Sequence, residues 1–309
     1  MAGKSSDANS PILSWHRTLL LAGAVFTVLL IAMGGILCVT QSIRNCPDWP
    51  GCFGRIVPPA EPGPILEYTH RLLAGVSGLL ILGSAVVSML RVPQLRWISI
   101  PPLVAIVLLV EVSFFGAQVV LRGLAPGWAA VDVGSALLVV ALMVTAAVKA
   151  MSIKNDPSQP DRLSFKNPFT RLVLVTTAMV YMVYVSGILV AGKGSITSCL
   201  GWPIYRLQQF QVDGLTWWNI LRLTISVLGV GMLVMVLVQA WRKRGELPGV
   251  FRAARLVGLA VVLEAVSQAL LQLFGLQTPL LVVYTVVAAA LWALLVALLI
   301  RAGLQAEVG

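Results

Sequence analysis

The sequence predicts an all-α polytopic membrane protein, with eight transmembrane helices arranged as two related four-helix bundles. Composition supports the membrane assignment, because the 309 residues are 58% hydrophobic and only 11% charged, with a mean hydropathy of +0.91. Soluble domains are about one quarter charged. The apolar runs are continuous and about 20 residues long, which favours helices over the alternating strands of a barrel. A disordered chain, a secreted disulfide scaffold and an ordinary soluble enzyme are excluded.

Eight apolar stretches are each long enough to cross about 30 Å of hydrocarbon as a helix. They lie at roughly residues 18–40, 65–90, 97–121, 128–148, 170–191, 217–240, 253–274 and 279–300. The first 17 residues are polar and lack the pattern of a signal peptide, so we expect no cleavage.

Membrane topology explains the net charge of +10 without a nucleic-acid partner. With the N-terminus inside, fifteen lysines and arginines fall in inside segments and five in outside loops, while Arg71 and Arg222 lie within helices. The five outside cations are Arg44, Arg55, Arg122, Lys193 and Arg206. Because cytoplasmic loops collect Lys and Arg, we expect both termini in the cytoplasm and the long loops 41–64 and 192–216 outside, in a cell inner or plasma membrane.

The first and last four helices match each other in sequence. Motif pairs at offsets of 152 or 153 residues are Gly35-Ile36-Leu37 with Gly187-Ile188-Leu189, Cys46 with Cys199, Trp49-Pro50 with Trp202-Pro203, Glu111 with Glu264, and Pro126 with Pro279. An even number of helices per copy gives both copies one orientation, so the repeat is parallel. We therefore expect an N-terminal repeat at 1–148, a basic linker at 149–169 and a C-terminal repeat at 170–309.

Ionisable residues inside the spans are costly and are functional hypotheses by default. Glu67 and His70 are three residues apart at the outer end of helix 2, so they share a helix face. Arg71 follows directly, and Asp132 lies about one turn into helix 4 from the same side. We expect these four side chains to reach one cavity in the outer leaflet. Glu111 and Glu264 are interpreted as structural, bonding across the repeat interface, or one of them as a proton carrier.

The chemistry of this set suits a haem. An inward-facing imidazole is a standard ligand of haem iron, an arginine can pair with a propionate, and a nearby carboxylate can transfer a proton. The simpler alternative is that Glu67, His70 and Arg71 only satisfy one another. His16, at the inner end of helix 1, is interpreted as a residue of the membrane interface.

The four cysteines lie on the outer side of the predicted membrane. Cys46 and Cys52 are close in a short loop, so a disulfide is plausible there, and a reversible thiol pair is the alternative. Zinc is the weaker interpretation, since the loop has two thiols and no histidine. Cys38 is interpreted as a packing cysteine, and Cys199 as lacking a partner because Tyr205 stands where Cys52 stands in the first copy.

The chain resembles haem A synthase, a family of membrane enzymes that oxidise a methyl group of haem o to a formyl group for cytochrome oxidase. The resemblance rests on the two four-helix repeats, the C-P-D-W-P-G-C loop at Cys46–Cys52, the E-x-x-H-R at Glu67–Arg71, the second loop at Cys199 and Trp202-Pro203, and the run Gly116–Gly123. It covers nearly the whole chain.

The resemblance implies one haem in each half, held by histidines of the second and fourth helices. His70 matches the first of these as the iron ligand, and Glu67 matches the catalytic carboxylate. The other three are absent: by position Asp132, Leu221 and Tyr284 replace them. We therefore expect a haem o or haem A type group in the N-terminal half, held by His70, Arg71 and Asp132. A haem b in the C-terminal half is doubtful, with Arg222 and Tyr284 as its candidate contacts.

Three functions follow from these residues. The first is a haem A synthase-like membrane oxidoreductase that uses Glu67 and His70 on haem o. The second is a non-catalytic haem-handling or oxidase-assembly protein on the same scaffold, and the third is a structural subunit without haem. The expected partners are the haem substrate, membrane lipid, and haem o synthase or cytochrome oxidase subunits, with no nucleic acid.

Overall fold

The computed structural model describes residues 12–123, 125–155, 161–190, 199, 201–202 and 217–305. These residues form eight α-helices, each long and apolar enough to cross a membrane. They are α1 (Ser14–Val39), α2 (Pro62–Arg91), α3 (Arg96–Arg122), α4 (Pro126–Asn155), α5 (Pro168–Val190), α6 (Trp217–Arg242), α7 (Pro248–Phe274) and α8 (Thr278–Gln305). The prediction of an all-α polytopic membrane protein is confirmed.

Proline and glycine set several helix ends. α2, α4, α5 and α7 each begin at a proline, a residue favoured in the first helical turn because its missing N–H would have no partner there. α3 and α7 end at Gly123 and Gly275, whose φ angles of 73° and 84° suit a residue without a side chain. α4 continues to Asn155, so it covers the start of the segment predicted as the 149–169 linker.

The helices pack in the same pattern in both halves. In the first half α1 contacts α2 and α4, and α3 contacts α2 and α4; α5 to α8 repeat these contacts. The halves meet where α1 contacts α8, α4 contacts α5, and α4 contacts α8. At this seam Trp292 donates a hydrogen bond from Nε1 to the Leu137 carbonyl oxygen over 2.9 Å. Large apolar side chains such as Leu79 and Leu273 face outward, as expected for surfaces in contact with lipid.

A disulfide between Cys38 and Cys199 joins the end of α1 that the sequence predicts to lie outside, here called the outer end, to the loop after α5. The interpretations of Cys38 as a packing cysteine and of Cys199 as partnerless were therefore wrong. The Cα atoms are 5.7 Å apart, within the range that a disulfide spans. The error came from seeking a partner for Cys199 only within its own repeat, at Tyr205, a residue that lies outside the described ones. An even number of cysteines on one side was the available signal.

The inner ends of the helices hold a separate set of buried polar groups. His16 is 2% exposed, and its Nε2 lies 2.9 Å from Oγ of Ser88 on α2. Arg17 donates from Nη1 to the Ile12 carbonyl oxygen over 3.0 Å. His16 therefore packs between α1 and α2 instead of facing the membrane interface as predicted, and it lies at the opposite end of the helices from the outer loop.

Candidate functional site

A large cavity of about 1380 Å³ opens within the outer half of the first bundle. Most of its walls come from α1, α2, α3 and α4, with the loop after α1 at its outer side, and Ile188 of α5 and Cys199 also line it. Small-molecule pockets usually measure about 300–1,000 Å³, so this cavity can take a large planar ligand. It is lined by His70, Glu67, Arg71 and Asp132, the four residues that the sequence predicts to meet in one cavity.

The segment from Glu67 to Arg71 anchors the outer loop. Arg71 Nη2 lies 2.5 Å from Glu67 Oε1, and the other carboxylate oxygen accepts 2.7 Å hydrogen bonds from the backbone N–H groups of Asn45 and Cys46. Glu67 is only 3% exposed, so these charge-assisted bonds form away from bulk water. The carboxylate thus joins the first turns of α2 to the loop.

Arg71 completes this anchor from the other side of the loop. Its Nη1 donates to the carbonyl oxygens of Asp48, at 2.7 Å, of Pro50, at 3.3 Å, and of Gly51. The guanidinium therefore has four oxygen acceptors within the protein. A propionate, the partner predicted for Arg71, would have to compete with all of them.

The tip of the loop is held by a carboxylate and a disulfide. Asp48 accepts 2.6 Å hydrogen bonds from the backbone N–H groups of Phe53 and Gly54. The bond from Gly54, followed by that from Phe53, lowers the pKa of Asp48, so the side chain stays charged. Cys46 and Cys52 form the disulfide that was predicted as one of two alternatives. The loop is therefore closed on itself as well as fixed to α2.

His70 directly precedes Arg71 on α2 and lies in the wall of the cavity. Its Nδ1 is buried and has no hydrogen-bond partner among the described residues. A Cβ atom on Gly34 of α1 would lie 3.5 Å from His70 Cε1, so α1 passes close to the ring. A partly buried imidazole whose buried nitrogen has no partner among the described residues fits a metal ligand.

Two glycines leave room beside this histidine. A Cβ atom on Gly75 or on Gly116 would meet no other atom within 4 Å, and both residues line the cavity. Gly75 lies on α2 and Gly116 on α3, so at these two positions the wall has no side chain. The cavity, the imidazole and the space beside it fit a haem held through His70.

One of two neighbouring carboxylic acids, Asp132, lines the same cavity, and the other, Glu111, lies close to it. Asp132 Oδ1 on α4 and Glu111 Oε1 on α3 are buried, and neither has a hydrogen-bond partner among the residues that the structure describes. The two side chains are close enough to interact electrostatically. Since buried polar atoms are costly without a partner, this pair is available to a ligand or to a proton.

Among the described residues, aromatic side chains occupy the corresponding part of the second half. Trp202 is 9% exposed and packs edge-on against Tyr184, with ring centroids 6.4 Å apart. The hydroxyl of Tyr284 donates to the carbonyl oxygen of Trp202. Leu221, predicted to replace a histidine, is 49% exposed, whereas the adjacent Arg222 is buried. The structure therefore does not bring Arg222 and Tyr284 to the site of His70, and this half has no imidazole to hold a haem.

Sequence reasoning missed three arginines at the mouth of the cavity. Arg44, Arg55 and Arg122 line its outer side and are exposed. The charge count could have indicated them, because all three belong to the five cations that the predicted topology places outside.

Fold and site together define a polytopic helical membrane protein with a ligand cavity and a single histidine at the outer side of its first half. The chain belongs to the cytochrome oxidase assembly protein (COX15-CtaA) family, whose sequence model matches residues 17–296. The family resemblance of the sequence is thereby confirmed.

Individual relatives are similar over part of their length. The chain is 23% identical to a haem A synthase of Halalkalibacterium halodurans over 195 residues, which are 61% of this chain and 64% of that protein. It is 27% identical to a haem A synthase of an Exiguobacterium species over 180 residues, which are 57% and 58% of the two chains. A third, from Bacillus pumilus, is 34% identical over 101 residues, which are 32% and 33% of the two chains. The chain thus spans about six tenths of the length of the first two relatives.

Proposed function

We propose that this protein is a haem A synthase-like membrane oxidoreductase that acts on haem o in the biogenesis of cytochrome oxidase. The observation that carries the proposal is His70, a partly buried imidazole in the wall of a large cavity, whose buried Nδ1 has no hydrogen-bond partner among the described residues. Family membership and the haem A synthases among the relatives support it. Haem o is the substrate in this cavity, with His70 as the iron ligand.

Glu67 is the proposed acid–base group. A carboxylate offers about four lone-pair sites, and three donors already occupy sites on Glu67: the Arg71 guanidinium and two backbone N–H groups. One site therefore remains for a proton from the substrate side, in a fixed geometry. Asp132 stands at the opposite wall of the cavity, and its buried Oδ1 is the candidate second polar contact.

We further propose one haem per chain. The sequence has only two histidines, and His16 lies at the inner ends of the helices, where it bonds Ser88. In the second half, Tyr284 bonds the Trp202 backbone, so its hydroxyl is already engaged. A permanent haem b between two histidines does not fit these residues.

The orientation belongs to the proposal as well. The distribution of lysine and arginine supports cytoplasmic termini, and the disulfides join segments that would all lie on the oxidising side. A phosphatase fusion at the C-terminus should be inactive and a cytoplasmic fluorescent fusion bright. The reverse pattern would contradict this orientation.

The experiment that tests the enzyme uses membranes supplied with haem o and lacking any other haem A synthase. Extracted haems from the wild-type chain should include oxidised products, identified by mass spectrometry. Glu67→Gln should abolish them, because an amide cannot take up the proton, whereas Glu246→Gln, an exposed control, should not. A chain that binds haem o through His70 but produces no oxidised haem is instead the second candidate, a non-catalytic haem-handling protein, which the filled second half favours.

A further inference from the structure

Three arginines surround the outer opening of the cavity without partners of their own. Arg44 and Arg55 belong to the loop after α1, and Arg122 is the last residue of α3. Within the described part of the chain, none of their side chains has a hydrogen bond or an ion pair. Arg44 Nη1 lies 3.8 Å from where a Cβ atom on Gly123 would be, so the Arg44 guanidinium lies beside the end of α3, next to the residue that follows Arg122.

Their position runs against the charge rule for membrane proteins. Outside loops are depleted in Lys and Arg, and only five such residues fall outside in this chain. Three of the five line this one cavity. Cations at one opening repel each other, and an anion bound among them would relieve this repulsion.

Among the described residues, the loop does not supply that anion. Glu67 is occupied by Arg71 and two backbone N–H groups, and Asp48 by the N–H groups of Phe53 and Gly54. Glu61, the remaining carboxylate of the loop, forms no ion pair with any of the three arginines. The positive charge of Arg44, Arg55 and Arg122 is therefore available to an anionic ligand, whereas the guanidinium of Arg71 is hydrogen-bonded to the loop.

We propose that Arg44, Arg55 and Arg122 form an anionic-ligand rim that binds the two carboxylate groups of a dianionic tetrapyrrole whose apolar ring lies in the cavity. This rests on the proposed function and adds to it the orientation of the substrate. The carboxylates face the water at the rim, and the opposite edge of the ring points toward the interior of the membrane. Arginine suits this task because its planar guanidinium binds carboxylates through two parallel bonds.

The test compares a diacid with its diester in the purified full chain, held in nanodiscs of neutral phosphatidylcholine. Iron protoporphyrin is followed by its absorption band, and metal-free protoporphyrin by quenching of tryptophan fluorescence, which needs no iron ligand. Exposed ion pairs contribute about 0.2–1 kcal/mol each, so the diacid should bind about tenfold more tightly than the dimethyl ester. High salt should reduce this preference.

The variant that tests the rim is the triple substitution of Arg44, Arg55 and Arg122 by glutamine. It should remove the preference for the diacid and leave binding of the ester unchanged. The matched control substitutes three exposed arginines far from the cavity, Arg91, Arg96 and Arg162, and should keep the preference.

Two results would overturn the rim: equal binding of diacid and ester to the wild type, and a preference that survives the triple substitution. If phosphatidylglycerol that copurifies with the wild type is lost from the variant in the second case, the arginines bind lipid headgroups instead. Failure of the proposed function looks different, because iron protoporphyrin would then give no band that depends on His70. The metal-free porphyrin still reports on the rim in that case.

Discussion

Trp49 and Trp202 occupy equivalent positions in the two repeats, yet their side chains lie in different environments. Trp49 is 51% exposed and lines the cavity of the first half, whereas Trp202 is 9% exposed and packs between Tyr184 and Tyr284. The same residue therefore borders a ligand space in one copy and fills the interior in the other.

Among the described residues, the two outer loops are joined to the rest of the chain by different bonds. In the first half, Cys46 bonds Cys52 within the loop, and Glu67 and Arg71 fix the loop to α2. In the second half, Cys199 bonds Cys38 of the other copy. The comparison teaches that the ligand site depends on the loop and its anchors, since the four-helix framework is common to both halves.

The largest expected effect is a loss of bound haem, which tests whether the haem lies in the first half and not in the second. His70→Ala should remove the haem absorption band completely, because no other histidine reaches the cavity. Tyr284→Phe, the control in the second half, should leave the band at full height. Absorption spectra of both proteins purified from haem-replete cells, with protein content matched, provide the measurement. A band that survives His70→Ala would place the haem elsewhere.

The next effect concerns stability. Trp202→Ala should lower the free energy of unfolding by about 3–5 kcal/mol, the usual cost of removing a large buried side chain. Trp49→Ala should cost less than about 1 kcal/mol, since that ring is half exposed. Thermal unfolding in detergent distinguishes the two, and equal losses would contradict the contrast between a filled and an open half.

Glycine substitutions test the same contrast more finely. Gly201 has a φ of 144°, and a Cβ atom there would lie 2.5 Å from Tyr284 Cε1, so Gly201→Ala should destabilise the protein by about 1–3 kcal/mol. Gly75→Ala and Gly116→Ala should keep the melting temperature but weaken haem binding, because each methyl group enters the cavity. Unchanged haem affinity in both would show that the ring does not lie against these walls.

The smallest expected effect is on the rate of hydrogen exchange in the first outer loop, which should depend on pH. Hydrogen bonds from Gly54 and Phe53 lower the pKa of Asp48 in the folded protein. These hydrogen bonds therefore stabilise the loop fully at pH values above about 3.9, the pKa of an aspartate in the unfolded chain. The stabilisation is lost as the pH falls through the lower pKa of Asp48 in the folded protein. Hydrogen exchange at the amides of Phe53 and Gly54 should speed up on acidification in the wild type, beyond its intrinsic pH dependence. Asp48→Asn should lack this extra pH dependence.

Much of the fold could be predicted because each helix is a long apolar run, and such runs have few alternatives in lipid. Helix ends were less predictable: α4 continues to Asn155 because nothing in the sequence interrupts its helical residues before that point. The convergence of Glu67, His70, Arg71 and Asp132 was also predictable, since helical spacing and orientation place them at one depth.

Contacts between distant segments could not be predicted in the same way. The disulfide between Cys38 and Cys199 spans 161 residues, and no local spacing encodes it. The engagement of Arg71 with the carbonyl oxygens of Asp48 and Gly51 depends on the path of the loop, which hydropathy does not report. The arginine rim required knowledge of which outside cations share one opening.

The bond between Cys38 and Cys199 has a further consequence for how the chain behaves when it is cut. Any single cleavage between these two positions, including one in the 149–169 linker, leaves two fragments that are still one covalent molecule. On a gel the cleaved protein should therefore migrate as a single species without reductant and as two with it.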